Sequence, residues 1–435
     1  MQSRLQVRVW KAQALPPNWF KRTKTLDEKT SASIENTVKD IIVAVRENGD
    51  AALIEFTEKF DKTKLTAKAL RVTTDEINAA YKLVSKEQVF ALKLMKDKVS
   101  GIEKLTVRQW KVKTSREGIT VQSVLRPIES VGCYVPGGQA VYPSTLIMTA
   151  VPAKVAGVPR IVVCSPPTSQ GTINPLILVA ADICGVDEVY KVGGAQAIAA
   201  LAYGTETIRP VKKIVGPGSK YVTTAKVLVS RDVAIDMPAG PSEVLVLADE
   251  TANPTFIAAD MISQAEHGAD SVAGLITTSE KLADEVRTLL GRMAASAERG
   301  EIITEALSTY GFIITCDGTE EMVNLANAFA PEHLEIVTRK PAEIADKITS
   351  AGLILIGPFS PVALSDYGSG TNHVLPTGGF GSAFSGLSVL DFTRRIYVVE
   401  SSKEGLLKLK NHVQVLTKAE NLPNHFKAVE ARFET

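Results

Sequence analysis

From Val131 onward the chain alternates short apolar runs with amphipathic stretches, and no other feature narrows its fold as much. Ile161-Val-Val-Cys164, an apolar helix-like stretch reaching Cys184, Val189-Tyr-Lys-Val192, residues 195–203 and Ile214-Val215 read as two successive strand–helix–strand units. Parallel strands need a crossover long enough for a helix, so this rhythm predicts a parallel sheet covered by helices. A second series repeats it, with strands over residues 244–247, 272–276, 312–315 and 353–356 and helices over 256–267, 282–293 and 322–329. The fold class is therefore α/β, and two doubly wound, Rossmann-like, three-layer α/β/α domains fit better than one large sheet. At 435 residues the chain also exceeds what one core usually supports.

The flanks read differently. Residues 1–110 are charged and helix-like, with apolar residues at three- and four-residue spacings over 34–48 and 50–60 and Gly49 between them. Past Asp391 a strand-like Ile396-Tyr-Val-Val399 leads into helices over residues 403–432. That tail is too small for its own core and must dock on something.

Composition excludes some partners. Lysine plus arginine number 49 against 48 acidic residues, which gives no electrostatic reason to expect a nucleic acid or an anionic membrane. No run approaches the roughly 18 apolar residues of a membrane span. The opening residues mix Arg4, Arg8 and Lys11 with isolated apolar positions and carry no cleavage signature, so the expected location is the cytoplasm. Cys133, Cys164, Cys184 and Cys316 lack any C-x-x-C spacing and are expected as buried thiols.

Three glycine-rich loops fall at strand ends or helix starts in the first series: Tyr134-Val-Pro-Gly-Gly138, Gly193-Gly-Ala-Gln196 and Gly216-Pro-Gly-Ser219. Backbone N–H groups there can receive an anion, although any one such loop is more readily a tight turn. None is a G-x-G-x-x-G, because Tyr221 takes the third glycine position after Gly216 and Gly218.

Histidine is scarce. Of five, four stand near other acid-base or ligand-type residues: Gln264 with His267, Glu332 with His333, Asp366 with His373, and Glu420 with His425. Gln264 and His267 share one face of a predicted helix. Asp366 and His373 lie in Ser365-Asp-Tyr-Gly-Ser-Gly-Thr-Asn-His373, a stretch too rich in glycine and hydroxyls for a helix interior. Glutamine oxygen, imidazole and one carboxylate make a mixed N/O set that suits zinc, with manganese or iron left open by ligand type. Adjacent Glu332 and His333 offer two bases for two proton removals if both reach one pocket. Each pair alone is as readily structural, and His412 has no partner and reads as a surface residue.

Gly193-Gly-Ala-Gln-Ala-Ile-Ala-Ala-Leu-Ala-Tyr203, Asp236-Met-Pro-Ala-Gly-Pro-Ser-Glu-Val244, Ser263-Gln-Ala-Glu-His-Gly268, Ala330-Pro-Glu-His-Leu334 and Ser369-Gly-Thr-Asn-His-Val-Leu-Pro376 closely resemble histidinol dehydrogenase. The resemblance implies a zinc- and NAD-dependent enzyme that oxidises an amino alcohol to an amino acid in two hydride transfers. Carried over by position, Gln264, His267, Asp366 and His425 match zinc ligands, and Glu332 and His333 match proton acceptors. Ser242, His373 and Glu420 match further substrate contacts, while Tyr134, Gln196 and Ser219 match positions that contact the cofactor. The family is a homodimer whose tail reaches the partner's site, so Glu420 and His425 would be donated across the interface.

The implied division is an N-terminal helical segment, 1–35, then a first α/β domain of 36–130 with 241–385 for metal and substrate. Residues 131–240 form the NAD-binding domain and 386–435 the tail. Two residues depart from the family: Ser219 stands for asparagine in the G-P-G-N loop, and Ser365 stands for the glycine before the metal aspartate, where φ > 0 would strain a serine. Two alternatives stay open: a zinc/NAD dehydrogenase of this fold for another small polar alcohol, and a catalytically silent metal-binding homologue.

Overall fold

The computed structural model describes residues 5–16, 19, 28–110, 112–137, 141–237 and 240–434, so Gly138 of the first glycine loop and Pro238-Ala239 of the second family motif lie outside the described residues. Strand β1 (Arg8–Lys11) comes first, followed by helices α1 (Glu28–Asp61), α2 (Ala67–Leu70), α3 (Thr74–Tyr81) and α4 (Lys86–Gln109) and strands β2 (Lys113–Arg116) and β3 (Ile119–Pro127). The first α/β series is β4 (Val131–Tyr134), α5 (Pro143–Ala156), β5 (Ile161–Ser165), α6 (Pro175–Cys184), β6 (Glu188–Lys191), α7 (Gly194–Tyr203), β7 (Lys213–Val215), α8 (Lys220–Val229) and β8 (Ala234–Ile235). The second is β9 (Glu243–Ala248), α9 (Pro254–Ala265), β10 (Val272–Thr277), α10 (Glu280–Ser296), α11 (Gly300–Thr309), β11 (Phe312–Thr315), α12 (Thr319–Phe329), β12 (His333–Val337), α13 (Pro341–Ala345), β13 (Leu353–Ile356) and α14 (Val362–Tyr367). The tail holds β14 (Thr393–Ser401), α15 (Lys403–Ala419) and α16 (Pro423–Glu430).

Both series form all-parallel sheets of one topology. The first orders its strands β6-β5-β4-β7-β8, and the second β1-β11-β10-β9-β12-β13. Apart from edge strand β1, each winds outward in both directions from its first strand, so each is doubly wound as the sequence rhythm predicts. β4, β5 and β9 are buried along their whole length, as strands covered on both faces must be.

Residues 36–130, grouped by the resemblance with 241–385, make contacts elsewhere through their helices. Helices α1, α3 and α4 cover the five-stranded sheet instead: Val38, Val45 and Leu53 pack with Ile198 and Leu201, and Leu92, Met95 and Val99 pack with Val131 and Ile147. The reason lies in α5 and α7. Residues 144–153 of α5 and 195–201 of α7 are buried all round, so each needs cover outside as well as a sheet inside. The segment 1–35 is also more than helical, since β1 pairs in parallel with β11, Trp10 opposite Ile314. Gly49 breaks α1 as predicted, at φ 52°, and the Glu206 carboxylate accepts the Asp50 N–H at 2.7 Å.

The tail begins by pairing β14 antiparallel to β3 in a three-stranded sheet with β2. Its helices pack on each other and bury only Gly405 and Thr417 of α15 and nothing of α16. Leu407, Val415, Leu416 and Leu422 are exposed, so the tail has no core of its own. All four cysteines are buried and free. Among the described residues no helix is long and apolar enough to cross a membrane.

Candidate active site

A cavity of about 750 Å³ lies where the carboxyl edge of the five-stranded sheet faces the amino edge of the six-stranded sheet. Pro136 and Gly137 after β4 and Pro217 to Ser219 after β7 line the first side. Ser242 before β9, Ser271 before β10, Tyr310 before β11 and Glu332-His333 at the start of β12 line the second. The open-sheet rule of ligands at strand carboxyl ends holds for one wall only.

Helix polarity gives the two walls opposite character. α8 and α5 aim their amino ends at the cavity through Ser219 and Ser144, where unpaired N–H groups favour an anion. α9 and α12 end beside it, at Gln264 and just before Glu332, and carbonyl-rich helix ends favour a cation. The space is thus polarised for a ligand that is negative at one end and positive, or metal-bound, at the other.

Gln264 and His267 both line the cavity, but α9 stops at Ala265 and His267 sits in the following turn, its N–H on the Gln264 carbonyl at 3.3 Å. Asp366 lines it too, on the short helix α14 rather than in an irregular loop. Ser365 is helical there and donates its hydroxyl to the Val362 carbonyl at 2.6 Å, so the expected left-handed strain does not arise. His373 follows in a loop pinned by Asn372, whose amide reaches the Met148 carbonyl on α5 at 2.7 Å.

The best-defined base is His333. Its Nδ1 lies 3.1 Å from the Glu243 carbonyl, an arrangement in which Nδ1–H donates and Nε2 keeps its lone pair. Nε2 is buried without a partner and stands 3.9 Å from the Asp366 carboxylate. Burial works against the charged imidazole, but Glu332, Asp366 and the Glu243 carbonyl outweigh it and hold His333 above its ordinary pKa. His373 goes the other way, because burial dominates and keeps it below the ordinary value, though its Nδ1 is 3.6 Å from Asp366. Asp366 therefore stands between two imidazole nitrogens, each buried without a hydrogen-bond partner.

Glu243 is a site residue that motif reading passed over. Its Oε2 accepts the Glu332 N–H at 3.3 Å and its Oε1 the Gly378 N–H at 2.9 Å, while Glu332 Oε2 accepts the Glu243 N–H at 2.7 Å. This reciprocal exchange fixes the amino ends of β9 and β12 together. An acid heading an apolar strand run was the available signal.

On the opposite wall Gly216 opens the Gly216–Ser219 loop at φ 114°, where an added Cβ would stand 2.2 Å from the Tyr134 carbonyl oxygen. A buried Lys226–Asp236 ion pair clamps it: Lys226 donates to the Gly216 carbonyl at 2.9 Å and Asp236 accepts the Gly216 N–H at 2.7 Å. Ser219 caps α8 without a side-chain bond and faces the cavity.

A histidinol dehydrogenase family model matches residues 24–433. The chain belongs to the histidinol dehydrogenase family. It is 45% identical over 416 residues to histidinol dehydrogenase of Methanothermobacter thermautotrophicus, covering 95% of this chain and 97% of that one. Identity to the Clostridium acetobutylicum histidinol dehydrogenase is 47% over 416 residues, 96% of each. The crystal structure of histidinol dehydrogenase from Elizabethkingia anophelis superposes with a TM-score of 0.92 at 38% identity, over 100% of this chain and 99% of that one.

Of the positions that match histidinol dehydrogenase motifs, the cavity gathers Ser242, Gln264, His267, Glu332, His333, Asp366, His373 and Ser219. Glu420 and His425 are exposed on the tail and do not line it. Tyr134 and Gln196 do not line it either: both are buried, and the Tyr134 hydroxyl accepts the Gly194 N–H at 3.1 Å. Among the described residues no group of three His, Cys, Asp or Glu converges on a metal position within one chain. The set Gln264, His267 and Asp366 is mixed in donor type, an amide oxygen, an imidazole nitrogen and a carboxylate, and suits zinc by chemistry. His412 is exposed on α15, as the sequence suggests.

Proposed function

We propose that this protein oxidises L-histidinol to L-histidine through L-histidinaldehyde, using NAD and zinc, the last step of histidine biosynthesis. The observation that carries this reading is the bare Nε2 of His333, held by a backbone carbonyl on its other side and facing a carboxylate at the head of the cavity. Gln264, His267 and Asp366 would hold the zinc with His425 from a second subunit, and positions left open on the ion would anchor the substrate's nitrogens. When bound, zinc supplies orientation and charge, and NAD supplies the electron acceptor.

The chain's own groups do the rest. His333 Nε2 takes the proton of the substrate hydroxyl, and the raised pKa lets the imidazole keep it. Glu332 orients and deprotonates the water that hydrates the aldehyde, and such general-base help is worth about a hundredfold to ten-thousandfold each. Ser242, His373 and the partner-donated Glu420 complete the substrate pocket. The N–H groups of Ser219 and its neighbours at the α8 amino end receive the cofactor's pyrophosphate, with Tyr134 and Gln196 supporting the adjoining turn. A homodimer gives the coreless tail its docking surface.

Zinc-loaded protein is expected to form two NADH per L-histidinol, with histidine as product, and to lose turnover to a chelator. One NADH per substrate, or turnover only with another alcohol, would favour a dehydrogenase of different specificity. Zinc bound without turnover would mark a silent homologue.

A further inference from the structure

We infer that Asp260 and Glu335 share one proton and act as a positioning pair that ties α9, β12 and α14 together behind the site. The inference rests on the reading of the site given above. Glu335 is two residues on from His333, so the side chains of both lie on the same face of β12, and it is only 2% exposed. Its Oε1 accepts the Val362 N–H at 2.9 Å. Val362 is the first residue of α14, whose cap position is Pro361 with no side-chain bond, so Glu335 caps this helix from another strand. Asp366 lies four residues further on the same helix face.

The other carboxylate oxygen, Glu335 Oε2, is buried with no donor assigned to it. The Glu335 carboxyl stands beside that of Asp260, on α9 one turn before Gln264, and the two side chains interact. Two carboxylates cannot hydrogen-bond unless one carries a proton, and no cation stands against either among the described residues. Burial raises both acids and favours that proton. One O–H then satisfies the orphaned oxygen and leaves the pair with one negative charge. The three elements it joins carry a base, His333, and two of the three intrachain zinc-type residues, Gln264 and Asp366. Neither acid faces the cavity, so both act through these residues.

Glu335→Gln and Asp260→Asn each place an amide N–H where the shared proton lies. Both are expected to keep zinc affinity, read by chelator competition, and kcat within about threefold of wild type, since a neutral donor is retained. Glu335→Ala removes the cap and is expected to lower zinc affinity and kcat by about 10- to 100-fold, the usual loss when a supporting partner of a ligand is removed. KM for NAD, set on the opposite wall, stays unchanged. Asp260→Ala leaves the cap in place and should lower zinc affinity about tenfold, which keeps the test open if Glu335→Ala does not fold. Infrared difference spectra of the metal-free protein should show a buried protonated carboxyl at neutral pH that either amide variant abolishes. Absence of that band, amide variants as damaged as alanine, or wild-type zinc affinity in Asp260→Ala would each overturn the pair. A wild type that binds no zinc and oxidises no histidinol, with the band present, would instead overturn the reading of the site.

Discussion

Replacing Asp236 by leucine tests whether the buried Lys226–Asp236 pair is there for stability or for the loop it clamps. Both side chains are buried, at 3% and 7% residue exposure, and between them they hold the N–H and the carbonyl of Gly216. Asp236→Leu strands a buried ammonium, which costs about 3–5 kcal/mol, and orphans the Gly216 N–H, worth about 1–3 kcal/mol more. Lys226→Met is gentler, because burial already raises the Asp236 pKa and the acid can neutralise by taking a proton. The double variant has no buried charge and loses only the Gly216 contacts, about 1–3 kcal/mol. Urea unfolding at neutral pH with a constant m-value should therefore give a coupling energy of at least about 2 kcal/mol between the two sites. KM for NAD should behave differently. The Gly216 peptide is released in the double variant as well, so KM should stay raised by roughly tenfold, equivalent to about 1.4 kcal/mol of lost positioning, after stability has recovered. A single-variant loss below about 1 kcal/mol would falsify the clamp, and so would a double variant with wild-type KM.

His333→Ala and Glu332→Gln should each lower kcat by about a hundredfold to ten-thousandfold while leaving zinc content intact; loss of zinc in either would reassign that residue to the metal. Mixing His425→Ala subunits with His333→Ala subunits should restore part of the activity that each homodimer lacks, and no recovery in a verified mixed dimer would refute tail exchange. For Glu188, burial opposes ionisation, but Arg160, Tyr190 and Arg209 outweigh it and hold the carboxyl down at about 2 from the ordinary 4.5. A depressed pKa stabilises above the unfolded value and is lost as pH falls, so the stability gap between wild type and Glu188→Gln should narrow from pH 5 toward pH 2, by about 3 kcal/mol at most. Urea midpoints that fall in parallel over that range would contradict the assignment.

Strands β5, β6, β7, β9, β10, β11 and β13 and helices α6, α7, α9, α10 and α12 were legible because period-two and period-3.6 patterns report burial directly, and Gly49 marked its kink. What those patterns omit is the identity of the partner. Leu92, Met95 and Val99 announce a buried stripe on α4, yet nothing in the stripe says that it covers α5 of the five-stranded sheet. β12 escaped notice because His333 and Glu335 put ionisable groups where a buried strand normally shows apolar ones, which is the same property that makes the strand useful. His267 was read as the end of a helix over 256–267 but sits two residues past Ala265, where α9 stops, since the Gln264-x-x-His267 spacing suits a helix and a turn equally. Ser365 was expected to be strained by analogy with glycine, although six residues of α14 accommodate a serine whose hydroxyl bonds back to its own helix. Of the motif positions, Ser219, Ser242, Gln264, His267, Glu332, His333, Asp366 and His373 line one cavity, whereas Glu420 and His425 do not. The motifs did not distinguish Ser219, which lines the cavity, from Tyr134 and Gln196, which are buried and do not line it.

Residues 8–11 are stitched into the larger sheet, α1 to α8 build around the smaller one, β9 to α14 return to the larger, and Val374, Leu387 and Phe392 re-enter the core that holds Val131. The two sheets are thus joined by three crossings of the chain. Cutting the chain within any single crossing should leave the two halves still joined, whereas neither half could be excised and expected to fold as one continuous piece.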